Sequence, residues 1–410
     1  MPEADKVAAL RTLLPATRAG IYLNAGTCGP IPADTQRAMD EQAARELTTG
    51  RAHPALWDDA LVRMEEARAG VAAALVADPT DIALTHSTTD GINLALGAVA
   101  WRPGDRVLTT TQEHVGVLGP LAALRDRLGV EVEVIDVGAG DDDDRVIERF
   151  SGALGRPARA VVLSHVLWTT GGVLPVGRIA GMARASGVST IVDGAQAAGA
   201  IPVVLDEVDA DAYAIPAQKW LLGPEGMGAL WVRRAFAEGA VPANAGHLSY
   251  EAFDLAAPRL HAGARRFEAT GFHRPSVIGF ARSLGWLSMY VGLPWAQARA
   301  LSLSAGLAER LASIPGVALL SPRPTRATLI TFRIDGWRAT DALPELGARA
   351  FAIVRDVPAL DAVRCSVGFW NTEEELDRFA TIVEQLARHA PGTLPSRRLA
   401  VLGSDDEPIG

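Results

Sequence analysis

From about residue 80 to 235, short runs of β-forming residues alternate with stretches long enough to hold a helix. The runs are Ile82 to Thr85, Arg106 to Thr109, Glu131 to Ile135, Ala160 to Leu163, Ser189 to Val192, Ala212 to Ile215 and Gly228 to Val232. Strands separated by helical crossovers pair in parallel, so this alternation restricts the chain to an α/β class with a mostly parallel seven-stranded sheet flanked by helices. Ahead of it, Trp57, Leu61, Met64, Ala67, Val71 and Leu75 recur at three- and four-residue steps, which predicts an amphipathic helix with that stripe in the core.

The texture changes after about residue 285. A long apolar helix leads to strands at Gly316-Val-Ala-Leu-Leu and Thr328 to Ile334, and a further strand is expected from Val363 to Phe369. Thr372 and Glu375 fit a capping box, and Leu376, Phe379, Val383 and Leu386 continue one helical face. The expected organisation is a segment 1–20 packing with the small domain, a large domain 21–285, a smaller α+β domain 286–392 and a loose tail 393–410.

Bulk properties narrow the function. A net charge of −9 argues against a general nucleic-acid binder. No uncharged apolar run reaches the roughly 20 residues of a membrane helix. The opening Met-Pro-Glu-Ala-Asp-Lys carries no basic-then-apolar signal pattern, so a cytoplasmic location is expected. Cys28 and Cys365 form no CxxC, which indicates neither a disulfide framework nor a cysteine metal site. Asp141 to Asp144 lacks the alternating spacing of a calcium loop and reads as a solvated turn.

Only two lysines occur, Lys6 and Lys219, among 39 basic residues. Arginine stays protonated, whereas a desolvated lysine can lose its proton and form a Schiff base with a carbonyl. Lys6 lies in a polar segment and is expected to be solvated. Lys219 lies between an apolar run and a glycine-rich turn, in Gln-Lys-Trp-Leu-Leu-Gly-Pro-Glu-Gly.

Three segments upstream share a position just after a strand. Ser87, Thr88 and Thr89 open a helix, where they either cap it or form an anion site. His114 is structural, or stacks on a flat ring or moves protons. Asp193 makes a turn, or pairs with a protonated pyridine nitrogen at the carboxyl edge of the sheet.

The order is more specific than its parts: hydroxyl-rich turn, histidine, strand-end aspartate, then lysine 26 positions after Asp193. In this the chain resembles the class V aminotransferase family, fold-type-I pyridoxal-phosphate enzymes that include cysteine desulfurases and isopenicillin N epimerases. The resemblance spans roughly residues 20 to 390 and is densest from Asp193 to Val232. It implies that Lys219 holds the cofactor and moves protons at the substrate α-carbon. Asp193 would pair with the pyridine nitrogen, Gln196 touch the phenolic oxygen and His114 stack on the ring. Ser87, Thr88 and Thr89 would bind phosphate, and Arg364 would grip the substrate carboxylate. The Tyr22-Leu-Asn24-Ala-Gly-Thr-Cys-Gly-Pro segment would line the pocket, in a form nearer the epimerase branch. The resemblance also implies a homodimer acting on a small amino acid.

Departures from the family pattern are informative. Gln218 replaces the usual histidine before the lysine and is assigned to the cofactor. Pro216 replaces a phosphate-binding serine. Trp168 stands where an asparagine often contacts substrate. The Thr270-Gly271 order is reversed in the loop that reaches a neighbouring subunit's phosphate, and Thr270 is assigned there. The interval Phe351 to Ala362, where desulfurases carry a nucleophilic cysteine, contains none. The expected reaction is therefore β-elimination by a carbon–sulfur lyase. Epimerase, aminotransferase and desulfurase chemistry are the alternatives. A cofactor-free or nucleotide-binding α/β protein is the rival class, but it lacks a Gly-x-Gly-x-x-Gly signature.

Overall fold

The structure, a computed structural model, describes residues 2–395, and residues 396–410 of the expected tail lie outside the described residues. Its larger sheet has seven strands in the spatial order Ile82–Thr85, Gly228–Val232, Ala212–Pro216, Ser189–Asp193, Ala160–Ser164, Arg106–Thr110 and Glu131–Ile135. All pair in parallel except Gly228–Val232, which runs antiparallel to both its neighbours. Both faces are covered, as a parallel sheet requires. Val161, Leu163 and Val192 pack into one core, while Val162, Ile191 and Leu230 pack into another with Ile92 and Val117. Four strands run one residue past the expected end, to Thr110, Ser164, Asp193 and Pro216. Three of those four bear polar groups at the carboxyl edge.

The amphipathic stripe forms the helix Pro54–Leu75, with Met64, Ala67, Val71 and Leu75 buried. Its first turn departs from expectation, because Trp57 is 43% exposed. Trp57 packs beside His247 and lines a cavity of about 420 Å³ with Met64 and Phe272 rather than entering the core.

The apolar region after residue 285 is not one helix. Arg274–Gly285 continues through a wider π-helical turn, Trp286–Val291, and breaks at Gly292. Gly292 has φ 82°, a left-handed conformation that favours glycine, and Pro294 opens the next helix, Leu293–Ala312. A second sheet follows, all antiparallel, ordered Val317–Leu319, Leu329–Ile334, Ala362–Ser366 and Arg355–Val357. Ala362–Ser366 ends earlier than the expected Phe369, because Gly368 N–H turns to the Asn371 side chain at 2.9 Å. The strand Arg355–Val357 was not foreseen. The capping box is present, with Glu375 N–H donating to Thr372 Oγ1 at 3.2 Å at the start of Glu373–Ala387.

The two sheets are joined by the N-terminal segment. Ile21–Tyr22 pairs in parallel with Ala352–Ile353, and Ser366 N–H donates to Leu23 O at 2.7 Å. The chain then crosses until Gly29 N–H reaches Gln218 O at 2.7 Å. Residues 24–29 therefore bridge the small sheet and the Lys219 turn. Lys6 is not simply solvated, since its ammonium lies 3.7 Å from the Trp295 ring centroid and donates to Val291 O. The acidic run is not a free turn either. Asp142 accepts from Arg145 N–H and caps the helix Asp143–Leu154, while Asp143 pairs with Arg326. Among the described residues no helix is long and apolar enough to cross a membrane, and no acid, His and Cys cluster could hold a metal ion.

Candidate active site

The carboxyl ends of the parallel strands open onto a cavity of about 230 Å³. At one end stands the helix Thr88–Gly97. Its N-cap Ser87 is extended and accepts from Asp90 N–H at 3.1 Å, and the Asp90 carboxylate accepts from His86 N–H, one residue before the cap, at 2.9 Å. The amides of Thr88 and Thr89 fall in the first turn, where no intrahelical acceptor exists. Ser87, Thr88 and Thr89 all line the cavity: the serine oxygen caps the helix, and the unpaired first-turn amides leave room for an anion beside it.

One wall is His114, the N-cap of Val115–Leu128. Its Nδ1 accepts from Gly116 N–H at 3.0 Å, which leaves the ring proton of the neutral form on Nε2. Burial, with Lys219, Arg355 and Arg364 nearby, pulls its pKa down to about 4, so the ring is neutral at ordinary pH. Gly116 lets the two helix starts approach closely, because a Cβ there would stand 2.6 Å from Thr89 Oγ1 and force it to shift.

The floor is Asp193, buried at its strand end and flanked in register by Ser164 and Ala214. One oxygen accepts from Ala195 N–H at 2.8 Å. Burial raises its pKa, and Lys219 partly opposes the rise. Behind it Glu113 accepts from the hydroxyls of Thr110 and Ser164, each at 2.6 Å, and from Ser164 N–H. Burial lifts Glu113 to about 7 against those hydrogen bonds. His165 Nδ1 meets Tyr213 Oη at 2.9 Å on the same side, and burial lowers His165 to about 4.

Lys219 follows Gln218 into the cavity. Burial lowers its pKa to about 8, with Arg364 pushing the same way and Asp193 pulling it up. That is the electrostatic setting of an amine available as a nucleophile or base near neutrality. Gln196, also lining the cavity, accepts from Trp220 Nε1 at 3.1 Å and donates one amide proton to Gly26 O at 2.9 Å. Its second amide proton remains for a ligand oxygen.

The far end is built by Arg364 and Trp168. Arg364 is fully buried and donates Nη1–H to Trp168 O at 2.7 Å. Its Nε and Nη2 have no partner, which is costly for a buried cation unless an anion arrives. Burial, then Arg355, lowers its pKa to about 9. Gly26 lies against it, since a Cβ there would come within 2.9 Å of Arg364 Nη2. The Trp168 ring meets His114 edge-on at 5.3 Å.

Ten of the twelve residues singled out from sequence line this cavity: Ser87, Thr88, Thr89, His114, Trp168, Asp193, Gln196, Gln218, Lys219 and Arg364. Asn24 does not; its side chain accepts from Thr27 Oγ1 at 2.8 Å and holds the turn behind Gly26. Thr270 is exposed and lies outside the lining. Its loop nonetheless approaches the anion end, where Phe272 stacks on His86 at 4.7 Å. The expected N-terminal lining is present through Gly26 and Thr27, whereas sequence reasoning missed Ser164 and Arg355, which the cavity also includes. The adjacency of Glu113 to His114 was a usable signal for the buried carboxylate. Nothing local marked Arg355, which enters through strand register.

The residues fit a phosphorylated pyridine aldehyde and an amino acid. A helix N-terminus suits the phosphate, the strand-end carboxylate a ring nitrogen, a depressed lysine the aldehyde, and two unpaired guanidinium nitrogens a carboxylate. Fold and site together define a fold-type-I pyridoxal-phosphate enzyme. The family model for class-V aminotransferases matches residues 21–379, and the chain belongs to that family. An isopenicillin N epimerase of Amycolatopsis lactamdurans is 30% identical over 396 residues, covering 89% of this chain and 95% of the relative. A probable cysteine desulfurase of Xylella fastidiosa is 28% identical over 346 residues, covering 81% and 82%. Among solved structures, the complex of the cystine C–S lyase C-DES with its product cysteine persulfide superposes with a TM-score of 0.85 at 25% identity, over 90% of this chain and 99% of that one.

Proposed function

We propose that the enzyme is a carbon–sulfur lyase that eliminates a sulfur substituent from an amino acid without a persulfide-forming cysteine. The observation that carries this reading is the state of both thiols. Cys365 lies in the strand Ala362–Ser366 between Arg364 and Ser366, but its side chain points the other way, into the small-domain core. Burial pushes its pKa well above the ordinary thiol value. Cys28 lies 3.5 Å from the Glu225 carboxylate, and burial with that carboxylate raises its pKa also. A sulfur-accepting nucleophile must be a thiolate, and neither setting favours one. The hairpin turn Pro358–Leu360 carries no thiol.

Bound pyridoxal phosphate supplies an electrophilic carbon for the substrate amine and a ring that accepts the electron pair left at Cα. The chain's own groups do the rest. Arg364 orients the α-carboxylate through Nε and Nη2. Lys219, as free amine, takes the Cα proton. Asp193 holds the proton on the ring nitrogen, and His114 and Trp168 exclude water from one face. The carbon–sulfur bond then breaks with its electron pair on sulfur, and hydrolysis yields pyruvate and ammonia. The working form is proposed as a homodimer, supported by the exposed Thr270 in the loop whose Phe272 packs against His86, next to the N-cap Ser87.

Reconstituted enzyme assayed with cysteine, cystine and S-substituted cysteines tests the reading, scoring pyruvate, sulfide, keto acid and product chirality. Pyruvate with released thiol or persulfide supports it. Racemised substrate, or keto acid without sulfur release, would place the enzyme with the epimerases or aminotransferases instead. Alanine with enzyme-bound persulfide would make it a desulfurase.

A further inference from the structure

The site holds one more cation than a simple amino acid can use. Of the charged side chains lining the cavity, Lys219, Arg355 and Arg364 are basic and only Asp193 is acidic. Arg355 and Arg364 stand directly opposite in the antiparallel pair of strands Arg355–Val357 and Ala362–Ser366. Like charges in that position repel. Arg355 makes no ion pair among the described residues; its guanidinium donates only to Thr27 Oγ1 at 3.3 Å and to Asp356 O at 3.2 Å. The Trp168 ring is 5.8 Å from one guanidinium carbon and 6.0 Å from the other, so a single aromatic plate flanks both cations. Each has a distinct seat: Arg364 is buried and tied to Trp168 O, while Arg355 is half-buried near the N-terminal crossing at Thr27.

We propose that Arg355 is a specificity-determining residue that binds a second carboxylate, carried by the sulfur substituent of the substrate. One α-carboxylate engages Arg364 bidentately through Nε and Nη2, which are the free pair. It leaves Arg355 uncompensated. The phosphate position does not supply the missing anion, because it lies at the N-terminus of Thr88–Gly97, with its own hydroxyl and amide donors. The Trp168 plate sets the apolar stem of the substituent between the two guanidinia. The preferred substrate class is thus an S-(carboxyalkyl)cysteine or a similar diacid. The inference rests on the lyase reading for the reaction but not for the binding step.

The test compares S-carboxymethylcysteine with the near-isosteric S-propylcysteine, using holoenzyme and two variants, Arg355→Gln and Arg355→Lys. Two readouts are taken: kcat/KM for pyruvate release, and the half-saturation of the cofactor absorbance change. Wild type is expected to prefer the diacid by about 10- to 100-fold, the scale of a hydrogen bond to a charged group. Arg355→Gln should bring that ratio close to one, and Arg355→Lys should keep most of it. A wild-type enzyme that does not discriminate overturns the proposal. So does a Gln variant that loses both substrates equally, which would assign Arg355 to the α-carboxylate. If neither compound yields pyruvate, the lyase reading fails, while the absorbance titrations still decide the role of Arg355.

Discussion

Arg364 and Cys365 are consecutive in one strand and serve opposite sides of it. The arginine enters the cavity and the thiol enters the core beside Ile330 and Phe379. The two-residue period of a strand enforces this division.

The double variant Cys28→Ser, Cys365→Ala is therefore expected to keep most lyase activity, within about threefold. Its stability should fall by roughly 1 kcal/mol from the small cavity at Cys365. Activity on S-substituted cysteines and a urea melt check it. A folded, cofactor-loaded variant without activity, alongside wild type that carries persulfide, would establish a sulfur-relay desulfurase.

Lys219→Arg should abolish the borohydride-fixed cofactor adduct and lower turnover by at least about a thousandfold. Arginine keeps the charge but cannot supply a free amine at neutral pH. Intact-mass analysis after reduction reads this directly; an adduct surviving in the variant would remove Lys219 from its assigned place.

Asp193→Asn should retain the cofactor, because the helix N-terminus and Lys219 are untouched, yet turn over at least about a hundredfold more slowly. The ring nitrogen loses the anion that keeps it protonated. Wild-type rates in a folded variant would mean the carboxylate plays a turn-forming role alone.

His165 gives a pH signature. Its folded pKa, about 4, lies below its ordinary 6.5, so between these values the unfolded chain binds the extra proton and stability falls with falling pH. From pH 6.5 to about 5 the loss is on the order of 2 kcal/mol, at about 1.4 kcal/mol per unit. In His165→Asn, whose amide oxygen can still accept from Tyr213, that part of the acid slope should vanish. Urea unfolding at both pH values measures it, and equal slopes in the two proteins would clear His165 of the effect.

The seven strands of the larger sheet, their mostly parallel pairing, and the succession of Ser87, His114, Asp193 and Lys219 after strand ends were legible in the sequence. These follow from local information: hydrophobic period, turn chemistry, and the rarity of lysine in this chain. It also carried the capping box at Thr372 and Glu375, because both halves lie within one helical turn. What it left open depended on contacts between residues far apart in the chain. The pairing of Arg355 with Arg364 needs a register that a strand's own residues do not encode. The burial of Arg364, with two nitrogens unpaired, needs Gly26 to lie against it from 338 positions away. The exposure of Trp57 was settled by which surfaces found a neighbour, since a helical period marks an apolar face without saying whether anything covers its first turn. The same holds for the two thiols, whose reactivity is fixed by desolvation and by Glu225, and neither is written near them in the chain.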